Sequence, residues 1–391
     1  MWHIAVRCTP FRSAWPHRGA PLDALEAHLR DNSLQSGGRP GHRFAPLDAL
    51  EAYLRDSPKA EMLRLPAASL LLCGVAAQWP TRCPVASSYS NWSETRCPDT
   101  MTCSPNGFSA GGGWGCCPWP NAVSCPSGFA CCPQGTTCEL IQGSGYGSVY
   151  NCTSASAPTV MSKCPCKPGT PAEPSTTLKN VLVIGDSLTI GYTPALAANL
   201  ADIALVQHVP WDVSDGGAEE SAYFSQCFDN WVGRSPSGIA YWPDVIYFNS
   251  GMHNLQTSGL PTPGQAGLAS SYALEMTDVM MRMKAYASSS PGGNFTRLIY
   301  GLTTPWLNDA DTDRIITGTL NAQAANIASS FNIEVVDPHG PIIARCGPAP
   351  QQSCFGVGGC FSPHCPGGSP NAYEWLADNV IAPAIRLMLS A

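Results

Sequence analysis

The feature that most constrains this chain is the placement of its cysteines. Ten of the nineteen fall between Cys83 and Cys152, a stretch without a single histidine. Such density means either metal knuckles or a disulfide framework. A structural zinc site wants Cys-x-x-Cys pairs with histidine partners. Here the cysteines come as adjacent pairs, Cys116-Cys117 and Cys131-Cys132. Neighbouring residues reach one ion poorly, but each can reach a different strand, so disulfides and no metal are expected. A segment this short buries too little core to stand on apolar burial alone, and its bridges must supply much of its stability. Charged residues make up only 13% of the chain, against 37 Gly and 36 Pro. That composition suits a loop-rich extracellular protein, as do the sequons at Asn91, Asn151 and Asn294. A net charge of -7 without a long basic run argues against nucleic acid as a partner.

The start of the chain reads differently. His17–Asp31 recurs almost unchanged at His42–Asp56, each copy with a short helical leucine pattern. Two copies are too few for a solenoid. From Met62 to Ala77 a basic start, a short apolar run and a small-residue end have the layout of a secretory signal peptide. Val75-Ala76-Ala77 would place cleavage before Gln78. The expected organisation is an extension at 1–61 that is unstructured, a gene-model artefact or a removed leader. A signal peptide at 62–77 follows, and the mature protein is secreted without a stable membrane span. The rival is a type II membrane anchor on the same apolar run, which is short for a bilayer.

Within the cysteine-rich stretch the blocks are Cys97-Pro-Asp-Thr-Met-Thr-Cys103, Trp114-Gly-Cys-Cys-Pro118, Ala122-Val-Ser-Cys125 and Cys131-Cys-Pro-Gln-Gly-Thr-Thr-Cys138. This resembles a granulin repeat over Cys83 to Cys152, within a module expected at 78–152. The family carries twelve cysteines in a ladder of six bridges; this module has ten, with Ser104 and Ser124 where two mutually bonded cysteines would stand. The resemblance therefore implies a five-bridge variant: Cys83–Cys103, Cys97–Cys116, Cys117–Cys131, Cys125–Cys138 and Cys132–Cys152. Trp114, Trp119 and Tyr146 either offer a face to a protein or glycan partner or pack on the disulfide stack.

Residues 153–179 are rich in Ser, Thr, Pro and Ala around Cys164-Pro-Cys166. They are expected to form an extended linker. The Cys-x-Cys pair could be tied to either neighbour.

From residue 180 to 391 the pattern changes again. Short apolar runs at Val181–Gly185, Ala204–Val209, Asp244–Asn249, Arg297–Gly301 and Ile333–Asp337 alternate with helical stretches near 193–201, 218–232, 264–287, 311–330 and 372–389. Alternation of this kind means an α/β fold, a parallel sheet flanked by helices, whose active groups gather at the carboxyl ends of strands. Those ends read Gly185-Asp-Ser187-Leu-Thr, Ser214-Asp-Gly-Gly217, and Asn249-Ser-Gly251-Met-His253-Asn254. Phe361-Ser-Pro-His364 precedes the last helix. In order and placement these four blocks resemble the SGNH (GDSL-like) hydrolases, which have a flavodoxin-like sheet.

What the resemblance implies is a serine esterase without metal or organic cofactor. A serine hydroxyl is a weak nucleophile until a base takes its proton, and histidine is poised to do so. Ser187 would be the nucleophile and His364 its base. The oxyanion hole would comprise the Ser187 and Gly217 backbone N–H groups and a side chain of the third block. The family's third donor is an asparagine; here His253 takes that position and Asn254 follows. Where the family has an aspartate three residues before the base, this chain has Phe361. A backbone carbonyl could orient His364 in a dyad, an acid such as Asp337 could do so, or activity could be lost. Cys360 and Cys365 flank His364, and a bridge between them would fix it. Of Cys227, Cys346, Cys354, Cys360 and Cys365, four are expected in two bridges, with one left over. His339 is a weaker rival base. Asp186 reads as a loop hydrogen-bonding residue, and Glu219 and Glu220 suit the first turn of a helix.

The function expected is secreted carboxyl-ester hydrolysis on acetylated glycans, lipids or small esters, with acyl transfer from the same serine as a close variant. The rival class is a granulin-like interaction protein carrying a degenerate hydrolase domain.

Overall fold

The central strands of the C-terminal region carry continuous apolar runs, Val181–Ile184, Val245–Phe248 and Leu298–Tyr300, so the sheet must be covered on both faces. The computed structural model describes residues 81–82, 96–97, 100–106, 113–144, 147–167, 169, 173–210, 217–234, 240–262, 264–290, 296–361 and 371–390. All belong to one compact unit, Val75–Ala391. The extension at 1–61, Met62–Ala77, Cys83, Asn91, Tyr146, Ser214, Asn294, His364 and Cys365 lie outside the described residues. Among the described residues no helix is long and apolar enough to cross a membrane.

Five parallel strands form the sheet: β1 (Lys179–Ile184), β2 (Ala204–Val209), β3 (Val245–Phe248), β4 (Arg297–Gly301) and β5 (Glu334–Val336). Their spatial order is β2-β1-β3-β4-β5. The chain winds outward from β1 in both directions, which makes the β1/β3 edge the topological switch point where such sheets open a crevice. The sequence expectation of a flavodoxin-like parallel sheet holds.

Strand residues alternate between two cores, as a two-residue period demands. Leu182, Ile184, Ile246, Phe248, Leu298 and Tyr300 face α2 (Ser221–Trp231) and α3 (Tyr272–Ser288). Val181, Val183, Val245, Tyr247 and Ile299 face α1 (Ser187–Leu200) and the C-terminal helix, which runs through Ala372–Leu376, Ala377–Ile381 and Ala382–Ser390. Between β4 and β5 lies a helix of Ala310–Ile315 and Ala322–Ser330 joined by a π-helical turn, Ile316–Asn321.

Two differences from the sequence reading bear on the site. The helix expected from Thr193 begins at Ser187, and Pro194 lies inside it. Thr193 Oγ1 bonds the Thr189 carbonyl at 2.6 Å, and apolar contacts of Leu188, Tyr192 and Leu196 carry the helix across the proline. A helix at His339–Cys346 was not expected; eight residues with a proline near the start give little periodic signal.

The cysteine-rich module is a stack of short antiparallel pairs. Thr102–Asn106 pairs with Gly113–Cys117, Val123–Ser124 with Cys131–Cys132, and Thr137–Gln142 with Val149–Thr153. Four expected bridges are present: Cys97–Cys116, Cys117–Cys131, Cys125–Cys138 and Cys132–Cys152. Cys103 is also disulfide-bonded, while its expected partner Cys83 is outside the described residues. The sulfurs of Cys125, Cys132 and Cys138 lie within 4.8 Å of one another, but all three are spent in disulfides, which leaves no thiolate for a metal. Trp114 packs against the main core, and the Trp119 ring carries the Lys163 ammonium 5.2 Å from its centroid. Asn151 lies in the middle strand of a three-stranded sheet.

Where the sixth rung is missing, the two serines meet. Ser104 Oγ and Ser124 Oγ are 2.8 Å apart, a hydrogen bond in place of a covalent one. Ser104→Cys combined with Ser124→Cys is therefore expected to close a rung and to stabilise the module by ~3 kcal/mol for a loop of this length. Peptide mapping and thermal melting check this; two free thiols in the oxidised protein would refute it.

The expected spacer is not free of structure. Val160–Met161 adds a third strand to the module. Lys163 exchanges backbone bonds with Cys131, and Cys166 with Cys116. Cys166 is disulfide-bonded to Cys227 in α2. Cys166 thus ties the module to the α/β domain, and Cys97, Cys116, Cys164 and Cys166 share one core with Phe224, Phe228 and Trp231. Among the late cysteines Cys346 bonds Cys354 and Cys360 is also disulfide-bonded, Cys227 bonds the spacer, and the free cysteine among the described residues is the buried Cys164.

Candidate active site

Ser187 stands three positions after the end of β1 and opens α1. Asp186 is the helix cap: its Oδ1 accepts from Leu188 N at 3.0 Å, and its carbonyl accepts from Thr189 and Ile190. Amides in the first turn of a helix have no intrahelical acceptor and point toward the N-terminal end, which is the environment an oxyanion needs. Asp186 is buried; that burial raises its pKa to about 6, against the pull of the positive charge at His253 and its backbone hydrogen bonds.

Gly217 lies against this turn. Ala218 N donates to the Gly185 carbonyl at 2.7 Å. Gly217 has φ +61, and a Cβ there would sit 2.2 Å from Gly185 O and 3.1 Å from Asp186 Cα. Only glycine allows both the left-handed backbone and this approach. The second block is thus seated directly on the peptide that precedes Ser187.

The third block leaves β3. Asn249 anchors it, donating its Nδ2 to Gly301 O at 2.8 Å and its N–H to Ile184 O at 2.9 Å. His253 Nδ1 lies 2.7 Å from Gln265 O and 3.3 Å from Glu219 Oε2. Burial lowers the His253 pKa, but Glu219, then Asp186, the Gln265 carbonyl and Glu220 outweigh it, so the net shift is upward. The imidazole side chain stays 22% exposed, while its neighbour turns inward. Asn254 is fully buried; its Oδ1 accepts from Ser221 N at 3.0 Å and its Nδ2 donates to Ser221 Oγ at 2.8 Å. Asn254 thus holds the start of α2, and His253 is the third-block side chain left partly open.

Glu219 and Glu220 precede the first turn of α2 and are buried. α2 begins after them, at Ser221. Glu219 has φ +54 and is buried against Lys167, whose Nζ lies 2.6 Å from Oε1. Glu220 accepts from Gly264 N at 3.2 Å, and its burial pushes its pKa up to about 8. Lys167, in the expected spacer, received no role from the sequence. The available signal was a lysine next to a Cys-x-Cys pair, facing consecutive acids in a chain poor in charge.

At the fourth block Phe361 is buried among aromatics, with ring centroids 6.1 Å from Phe355 and 5.5 Å from Tyr373. Cys360 is disulfide-bonded. Ala372 N donates to Cys360 O at 3.0 Å, so the two ends of the segment that carries His364 are pinned together. Asp337 Oδ1 accepts from His339 N and Gly340 N, both at 2.9 Å, and so caps the helix His339–Cys346. His339 Nε2 is 3.1 Å from Asp313 Oδ1 and 3.0 Å from Thr317 Oγ1, which commits it to the neighbouring helix.

Residues 108–144 match the Granulin family model. No curated protein matches the chain. Among solved structures, a GDSL-like lipase from Bacteroides thetaiotaomicron is 16% identical, with a TM-score of 0.38 over 55% of this chain and 92% of that one. An acetylxylan esterase from Geobacillus stearothermophilus is 13% identical, TM-score 0.38, over 55% and 95%. A carbohydrate acetylesterase family member from Sinorhizobium meliloti is 14% identical, TM-score 0.33, over 55% and 100%. The chain thus carries a granulin-like disulfide module ahead of a doubly wound α/β domain, whose GDSL-type blocks stand at the carboxyl ends of β1 and β3.

Proposed function

We propose that the α/β domain is a serine carboxyl-ester hydrolase with Ser187 as nucleophile. The observation that carries this reading is the seating of Gly217 on the Gly185–Asp186 peptide, beside Ser187 at a helix N-terminus. In the reaction, Ser187 Oγ attacks the ester carbonyl carbon while His364 takes the hydroxyl proton. The Ser187 and Gly217 N–H groups and the His253 imidazole face the developing oxyanion. Collapse expels the alcohol, which receives the proton from His364, and leaves an acyl-Ser187 ester. Water, deprotonated by His364, releases the acid and restores the serine. No cofactor enters these steps. Disulfides such as Cys166–Cys227 and Cys346–Cys354 suit an oxidising compartment, and secretion with an extracellular substrate follows from the same reading. Esters of glycans, lipids or small alcohols are the candidate substrates, and the granulin-like module is the candidate docking part.

Fluorophosphonate labelling of the secreted protein tests this. Wild type is expected to label at Ser187, and Ser187→Ala and His364→Ala are expected to remain unlabelled. A folded wild type that resists the probe would overturn the proposal and favour an interaction protein with an inactive domain, for which Phe361 in the place of an acid is the supporting feature.

A further inference from the structure

Three ionisable side chains converge beneath the second and third blocks, in a chain with only 13% charged residues. Lys167 is 1% exposed. Its Nζ donates to Gly217 O at 3.1 Å and to Glu219 Oε1 at 2.6 Å. Its backbone is fixed on both sides: N–H donates to Tyr223 Oη at 2.8 Å, and the carbonyl accepts from Asn230 Nδ2 and Trp231 Nε1. The residue before it is disulfide-bonded to α2. Glu219 is held at φ +54, a conformation non-glycine residues keep only where surroundings enforce it.

The remaining oxygen of Glu219 faces His253. A carbonyl can only accept, so the 2.7 Å contact to Gln265 O places a proton on His253 Nδ1. A neutral imidazole has one N–H. Neutral His253 would therefore present a bare lone pair at Nε2, which repels an oxyanion. Only the imidazolium has an Nε2–H to offer. We infer that Glu219, clamped by Lys167, holds His253 as an imidazolium so that it can serve as the third oxyanion donor. Glu219 and Lys167 are thus positioning residues for catalysis. This rests on the ester-hydrolase reading, and it makes the tail of the granulin-like module part of the catalytic scaffold. An uncompensated buried carboxylate would instead tend to neutralise, and Lys167 prevents that.

The groups facing His253 are Asp186 from the β1–α1 turn and Glu219 and Glu220 from the segment before α2, with Lys167 on the far side of Glu219. The imidazolium is present below its raised pKa and is lost as pH rises through it. Hydrolysis should therefore fall on the alkaline side as His253 loses its proton, and on the acid side as His364 gains one.

The test is kcat/KM against pH for phenyl acetate, using the full secreted chain. Glu219→Gln is expected to move the alkaline limb down by roughly a pH unit or more, the scale of a close charge partner. His253→Asn, whose amide donates at any pH, is expected to lose the limb, and adding Glu219→Gln to it should shift nothing further. An alkaline limb that stays in place in Glu219→Gln, or that survives in His253→Asn, overturns the inference. NMR titration of the His253 ring in Ser187→Ala protein, identified by its loss in His253→Asn, reads the clamp without activity. A pKa at or below about 6.5 would also overturn it. Absence of Ser187-dependent hydrolysis, with a raised His253 titration intact, would sink the esterase reading and leave the clamp standing.

Discussion

Hydrolysis of phenyl acetate is expected to fall roughly 10⁴-fold or more in Ser187→Ala, as in other enzymes stripped of the attacking group, and about 10²- to 10³-fold in Gly217→Ala. The two losses have different origins. Ser187→Ala removes one hydroxyl at a partly exposed position and should leave the melting temperature nearly unchanged. Gly217→Ala adds a methyl group 2.2 Å from Gly185 O in a left-handed backbone at φ +61, and that oxygen belongs to the backbone, not to a side chain that can swing away. The backbone at Gly217 must therefore move off the Gly185–Asp186 turn, carrying its own N–H, the proposed oxyanion donor, with it. Steady-state kinetics with melting curves separate the cases. Full activity in Gly217→Ala would show that this backbone does not face the reacting carbonyl.

Cys166→Ala combined with Cys227→Ala is expected to cost ~4 kcal/mol of stability, the chain-entropy value for a loop of this length. The closed loop spans 61 positions and links the granulin-like module to α2. At a few degrees per kcal/mol, this lowers the melting temperature by roughly 10 °C. Replacing both cysteines avoids a stray thiol. The bridge also anchors Lys167, so the same variant should lose activity below its melting point. An unchanged melting temperature would mean that Cys116–Cys166 backbone pairing and core packing hold the junction alone.

Much of this architecture was legible in the residues. The continuous apolar runs marked all five strands, because a strand covered on both faces cannot alternate. Adjacent cysteines and the granulin-like blocks pointed to four bridges the structure contains, and the serine pair at the absent rung sits face to face. The start of α1 was less legible, since Pro194 masks a helix that tertiary contacts of Leu188, Tyr192 and Leu196 sustain. The acids before α2 suit a helix's first turn in the sequence, because local pattern carries no information on what packs above a helix start.

By itself the sequence determined the elements, the disulfide logic of the module and the order of the candidate catalytic blocks, since each depends on neighbours within a few residues. Only the tertiary structure decided that residues 160–167 belong to the fold, that Cys166 seeks Cys227, and that Asn254 supports a helix while His253 stays partly open. It alone brought Lys167 to Glu219, 52 positions away along the chain. Such pairings depend on which surfaces the packed sheet and helices bring together, and a buried charge acquires its meaning only from the partner that burial places beside it.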